Sequence, residues 1–103
     1  MKQELKQPWI DALRSGNYKQ GKYCLVNNKN STYCCLGVLC TLNNYKDLMA
    51  EDHELTFNFI DVMANSEFYD RTGLSCSSTS KLADMNDGGR SFNEIADYIE
   101  ANL

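Results

Sequence analysis

The sequence has one histidine, one proline and one tryptophan in 103 residues. A single imidazole, His53, excludes a multi-histidine metal centre and leaves little room for histidine acid–base chemistry. A single proline, Pro8, excludes a proline-rich linker. No apolar run approaches the roughly 20 residues that span a membrane. The polar start, Met1 to Trp9, lacks the apolar stretch of a secretory signal, so a cytoplasmic protein is expected. There is no phosphate-cradling glycine loop of the nucleotide-hydrolase type and no paired-carboxylate signature.

What is there suits one small domain spanning residues 1–103, with 43% hydrophobic and 23% charged side chains. The net charge of -4 and a sequence pI near 4.8 argue against partnership with nucleic-acid polymers or anionic membranes. The five cysteines, Cys24, Cys34, Cys35, Cys40 and Cys76, are odd in number and lack paired zinc-ligand spacing. They read as reduced, buried thiols rather than a disulfide framework or metal site.

The fold class expected is α+β: mainly helical, about three to four helices with a short β-hairpin. Pro8 suits a first helical position, Gly16 a stop, and Trp9, Ile10, Ala12 and Leu13 form a buried stripe between them. Lys22 to Val26 reads as a strand, Asn27 to Asn30 as a turn, and Ser31 to Cys34 as an antiparallel return. Cys35 to Leu42 fits either a strand or a buried helix by length, and the favoured reading is a helix with Cys35, Leu36, Leu39, Cys40 and Leu42 inside. Gly37 would weaken that helix by about 1 kcal/mol, which points to a close backbone neighbour. Glu54 to Ala64 shows a second amphipathic pattern, and Tyr69 to Ser78 reads as loop, with Thr79 or Ser80 capping a short helix. Asn86 to Gly89 is a turn signal. Ser91 with Glu94 is a capping box that opens a last helix with Phe92, Ile95, Ala96 and Ile99 on one face.

The net charge conceals an asymmetry, since residues 1–46 sum to +5 and residues 47–103 to -9. That split predicts a basic and an acidic face, or lysines that pair with the acidic half. Asp84-Met85-Asn86-Asp87-Gly88-Gly89 resembles the opening of a calcium loop. Its fifth ligand position is Gly88 and its twelfth is Ile95, so the bidentate ligand is missing. The acids around His53 read as a solvated run. A cysteine nucleophile would need His53 beside it, which no spacing supports.

Three segments resemble a group of short, mostly uncharacterised proteins of bacteriophages and prophages. They are Trp9 to Gln20, Tyr33 to Cys40 with its Cys34-Cys35-Leu36-Gly37 run, and Met85-Asn86-Asp87 followed by Ser91 to Ile99. The resemblance implies a phage-encoded protein working in bacterial cytoplasm, and it carries over no site residue. In that setting a small acidic domain without catalytic motifs suits counter-defence.

The leading expectation is a non-enzymatic homo-oligomer that sequesters a nucleotide immune signal, such as a cyclic oligonucleotide or an ADP-ribose derivative, with no cofactor and no metal. Arg14, Lys19 and Arg90 would pair with phosphates, Tyr18 and Tyr33 would stack on bases, and Gln20, Asn86 and Asp87 would add polar specificity. Gln20 and Asn86 serve equally well as satisfiers of turn backbone. The alternative is an inhibitor that binds and blocks a host protein, and a nucleotide-cleaving enzyme comes third.

Overall fold

The computed structural model describes residues 1–45, 56–57 and 66–103. Within them the chain runs α1 (Gln3–Arg14), β1 (Lys19–Gln20), β2 (Val26–Asn27), β3 (Thr32–Tyr33), α2 (Cys35–Leu42), β4 (Thr56–Phe57), α3 (Ser66–Thr72), α4 (Cys76–Asp87) and α5 (Phe92–Asn102). The fold class is α+β and mainly helical, with five helices among the described residues and four two-residue strands in the order β1-β3-β2-β4.

β2 and β3 form the antiparallel hairpin expected, with Val26 opposite Tyr33 and Asn27 opposite Thr32. Its first strand is shorter than the Lys22–Val26 reading, because Tyr23 takes a left-handed backbone (φ 69°) that breaks extended pairing. β1 joins β3 in parallel and β4 joins β2 antiparallel. Strands this short need a helical layer behind them. α2 supplies it, and a Cβ on Gly37 would overlap the carbonyl of Leu25. The glycine is there because the hairpin backbone presses on the helix.

α1 begins five residues before Pro8, which lies inside it rather than at its start. Lys2 offers no side-chain cap. The start is fixed instead from a distance, by the Lys2 N–H donating to the Thr72 carbonyl at 2.9 Å. The expected stripe of Trp9, Ile10, Ala12 and Leu13 is buried, and the Trp9 indole donates to the Cys35 carbonyl at 2.9 Å. α1 packs along α5 and against α2.

Five further expectations are corrected. The stretch Tyr69 to Ser78 is not loop, since it ends α3 and begins α4. The cap of α4 is Ser75, accepting from the Ser78 N–H at 3.0 Å, whereas Thr79 is buried and donates back to the Ser75 carbonyl at 2.9 Å. Leu42 is exposed rather than core, and so is Cys76. Asn86 and Asp87 close α4 and only Gly88 and Gly89 turn, with Gly89 at φ 96°. The helix read over Glu54 to Ala64 falls largely outside the described residues, and within it Thr56–Phe57 pair as β4. Among the described residues no helix is long and apolar enough to cross a membrane.

Candidate functional site

The β1–β2 segment lies against the junction of α4 and α5, and the reason is one buried amide. Asn86 is fully buried. Its oxygen accepts from the Gln20 side-chain amide at 3.0 Å and the Cys35 N–H at 3.2 Å. Its nitrogen donates to the Gly21 carbonyl at 2.8 Å and the Asp87 carboxylate at 3.4 Å. That uses all four hydrogen-bonding positions of an amide. Gln20 makes three such bonds: its nitrogen also donates to the Arg90 carbonyl at 2.7 Å, and its oxygen accepts the Phe92 N–H at 3.1 Å. Asp87 also accepts the Tyr23 N–H at 3.0 Å.

Four of the eight candidate residues, Gln20, Asn86, Asp87 and Arg90, therefore do meet in space. Gln20 and Asn86 spend their polar capacity on the chain itself, so they satisfy turn backbone. The arginines are committed as well. Arg14 donates to Asp97 at 2.7 Å and Glu100 at 2.8 Å, and these hydrogen bonds raise its pKa further. Arg90 pairs with Glu94 at 3.0 Å. Glu94 in turn reaches back over the start of α5 in the expected capping box. The Arg90 guanidinium and then the Ser91 N–H hold its carboxyl below the usual 4.5. A phosphate arriving at this helix start would meet a carboxylate already there.

Tyr18 and Tyr33 are half-buried and pack edge to face, with centroids 5.1 Å apart and planes at 87°. Tyr18 also lines an open groove of about 250 Å³ between the end of α1 and the start of α5, together with Leu13, Arg14, Gln20, Ser91 and Phe92. This is smaller than the roughly 300–1,000 Å³ of small-molecule pockets.

Lysines stand apart from the arginines. Lys19 and Lys29 are exposed and have no carboxylate partner among the described residues. Register places them together: Lys19 stands beside Thr32, Thr32 opposite Asn27, and Lys29 sits in the turn that joins the last two. Lys22 and Tyr23 lie beyond the other end of β1, and Tyr23 is 77% exposed. The strand reading of Lys22 to Val26 hid this, because a strand would half-bury the ring.

The thiols are poor nucleophiles where they are buried. Burial pushes Cys34 and Cys40 up to about 12 and Cys35 well above the usual 9.0. Cys34 serves instead as the cap of α2, its sulfur accepting the Gly37 N–H at 3.4 Å. No cluster of three potential metal ligands exists among the described residues. His53 and the acids around it lie outside them.

Residues 1–70 match the family model described as Domain of unknown function (DUF8296). The chain belongs to this family. The match covers α1, the sheet and α2, and so includes Gln20 and Cys35, while Asn86 and α5 lie beyond it. No curated protein and no solved structure matches the chain.

Proposed function

We propose that this is a non-enzymatic binding domain, a phage-type counter-defence protein of the host bacterial cytoplasm that blocks a host protein by covering an acidic surface on it. One observation carries the reading. From Ala12 to Lys46 the sequence contains no acidic residue, and the end of the sheet within that stretch displays Lys19 and Lys29 without carboxylate partners among the described residues. The arginines, by contrast, are neutralised by the chain's own acids.

That contrast favours a protein over a nucleotide. A compact phosphate ligand is held by converging donors in a concave site. Here the groove's cation, Arg14, is already shared by two carboxylates, and the amides proposed for base reading are committed inside. Two lysines on an exposed strand and turn suit a broad acidic surface, where they would steer encounter and set specificity. Inert, buried thiols support binding rather than chemistry.

The test has two arms. Titration with cyclic di- and trinucleotides and ADP-ribose isomers is expected to give no heat, and micromolar uptake of any of them would return the nucleotide reading to first place. In the second arm, immobilised protein is exposed to host lysate at about 50 and about 300 mM salt. A specific partner is expected at low salt and lost with the K19E/K29E variant. Equal recovery by that variant sinks the proposal.

A further inference from the structure

Tyr23 is an exposed aromatic on a strained backbone. Its φ of 69° is one that a Cβ-bearing residue adopts only when its surroundings hold it there. The holding group is the Asp87 carboxylate, which accepts the Tyr23 N–H at 3.0 Å and is itself steadied by Asn86. The backbone that carries the ring is thus held at the surface, where Tyr23 is 77% exposed. Rigid tyrosines presented in this way are typical anchors of protein interfaces, since little rotamer freedom is lost when they dock.

The same molecule carries a receptor for such a ring. The groove between α1 and α5 is lined by Leu13, Tyr18 and Phe92 together with the polar Arg14, Gln20, Ser91 and Asn93. The volume of about 250 Å³ leaves this open groove room for a phenol ring. The border of the groove keeps a net negative charge, since three carboxylates of α5 face two guanidiniums, Arg14 and Arg90. Lys22 beside Tyr23 has no carboxylate partner among the described residues. The helix bordering the groove carries Glu94, Asp97 and Glu100, whose side chains are 52%, 73% and 57% exposed. Knob and groove are also close, since Gln20 lines the groove and three residues of chain reach at most about 11 Å.

We infer that a second copy of this chain occupies the groove: Tyr23 of each copy seats in the groove of the other, exchanged reciprocally about a two-fold axis. Adjacent knob and groove suit such a self-complementary patch, with Lys22 of one copy facing the α5 carboxylates of the other. The lysines of the proposed function, Lys19 and Lys29, lie at the other end of the sheet and stay uncovered.

Sedimentation equilibrium of the full chain from about 1 to about 500 µM tests this, because weak specific dimers fall in that range. The expected result is a monomer–dimer equilibrium that weakens as salt rises. Tyr23→Ala is expected to raise the dissociation constant about 30-fold, as loss of an interface anchor does. Asn93→Trp, which fills the groove from an exposed position, and Lys22→Glu are each expected to weaken the dimer too. The decisive arm mixes Tyr23→Ala with Asn93→Trp. Neither forms a knob-in-groove contact with itself, but the first retains a groove and the second a knob, so the mixture is expected to dimerise more tightly than either alone. Thermal melts establish that each variant is folded. A chain that stays monomeric at the highest concentration overturns the inference, as does a dimer indifferent to Tyr23→Ala or a mixture that gains nothing. Should Tyr23→Ala fail to fold, Lys22→Glu and Asn93→Trp decide the matter alone, and dimers unchanged by both overturn it.

Discussion

The side-chain oxygen of Asn86 accepts the backbone N–H of Cys35 at 3.2 Å across 51 positions of sequence. Through it the end of α4 is joined to the start of α2, and through Gln20 to β1 and the start of α5. Three segments far apart in sequence, Trp9 to Gln20, Tyr33 to Cys40 and Met85 to Ile99, thus converge on one buried amide. Replacing it by alanine strands the Cys35 N–H and the Gly21 carbonyl. Asn86→Ala is expected to lower unfolding stability by about 2–4 kcal/mol, measured by urea denaturation. Asn86→Asp is expected to fare no better, since a carboxylate would face the Gly21 carbonyl. A loss under about 0.5 kcal/mol would show that other contacts hold this junction.

How much of this was legible beforehand differs by element. The stripe of α1, the apolar run of α2 and the capping box of α5 are local signals, and all three formed helices. The start of α4 was hidden because residues 75–80 are serine-rich and weakly patterned, so the capping role of Ser75 competed with those of Thr79 and Ser80. The start of α1 was hidden for the opposite reason, its stabilising partner being Thr72, far along the chain. At the candidate site the sequence pointed to the residues that meet but not to what they bond. Gln20 and Asn86 satisfy backbone groups brought near by folding, and composition cannot distinguish those from a ligand's.

Gly37 gives a sharper test of the packing. A methyl group there would overlap the Leu25 carbonyl, which is backbone and cannot rotate away. Gly37→Ala is therefore expected to destabilise by about 3 kcal/mol or more, although alanine is the better helix former. Chemical denaturation checks it. A stabilised variant would mean that the hairpin and α2 are not in contact.

Arg14 separates the two functional readings. Its guanidinium bridges Asp97 and Glu100 at the surface, so Arg14→Ala is expected to lower the melting temperature slightly at low salt. The difference should shrink as salt screens the uncovered carboxylates. A nucleotide-sequestering site would instead lose ligand affinity with little change in melting temperature. Paired melts and titrations of wild type and variant distinguish the outcomes.

Glu94 gives the protein a predictable acid response. Its pKa is lowered in the fold by Arg90 and then by the Ser91 N–H, and unfolding returns it to the ordinary value. The native state therefore binds its proton more weakly than the unfolded chain does. The stabilisation is present above the unfolded value and is lost as pH falls through the folded one. Glu94→Gln keeps an acceptor for the Ser91 N–H but does not titrate. The variant is expected to show a flatter dependence of stability between about pH 5 and about pH 3. Parallel slopes would exclude Glu94 as a contributor.

The thiols should divide by exposure rather than by position in sequence. Cys76 is exposed at the start of α4 and Cys24 is half-buried, whereas Cys34, Cys35 and Cys40 are buried. Burial raises the pKa of all three of the latter, to about 12 for Cys34 and Cys40, so hardly any thiolate exists at neutral pH, and the thiolate is the reacting form. With an aromatic disulfide reagent at neutral pH, Cys76 is expected to react first, and Cys76→Ser should remove that fast phase. The buried three are expected to react at the rate of unfolding and to accelerate together in denaturant. Rapid modification of Cys34 or Cys35 in the native protein would require the α2 cap to open, and would make that vicinal pair a reactive site after all.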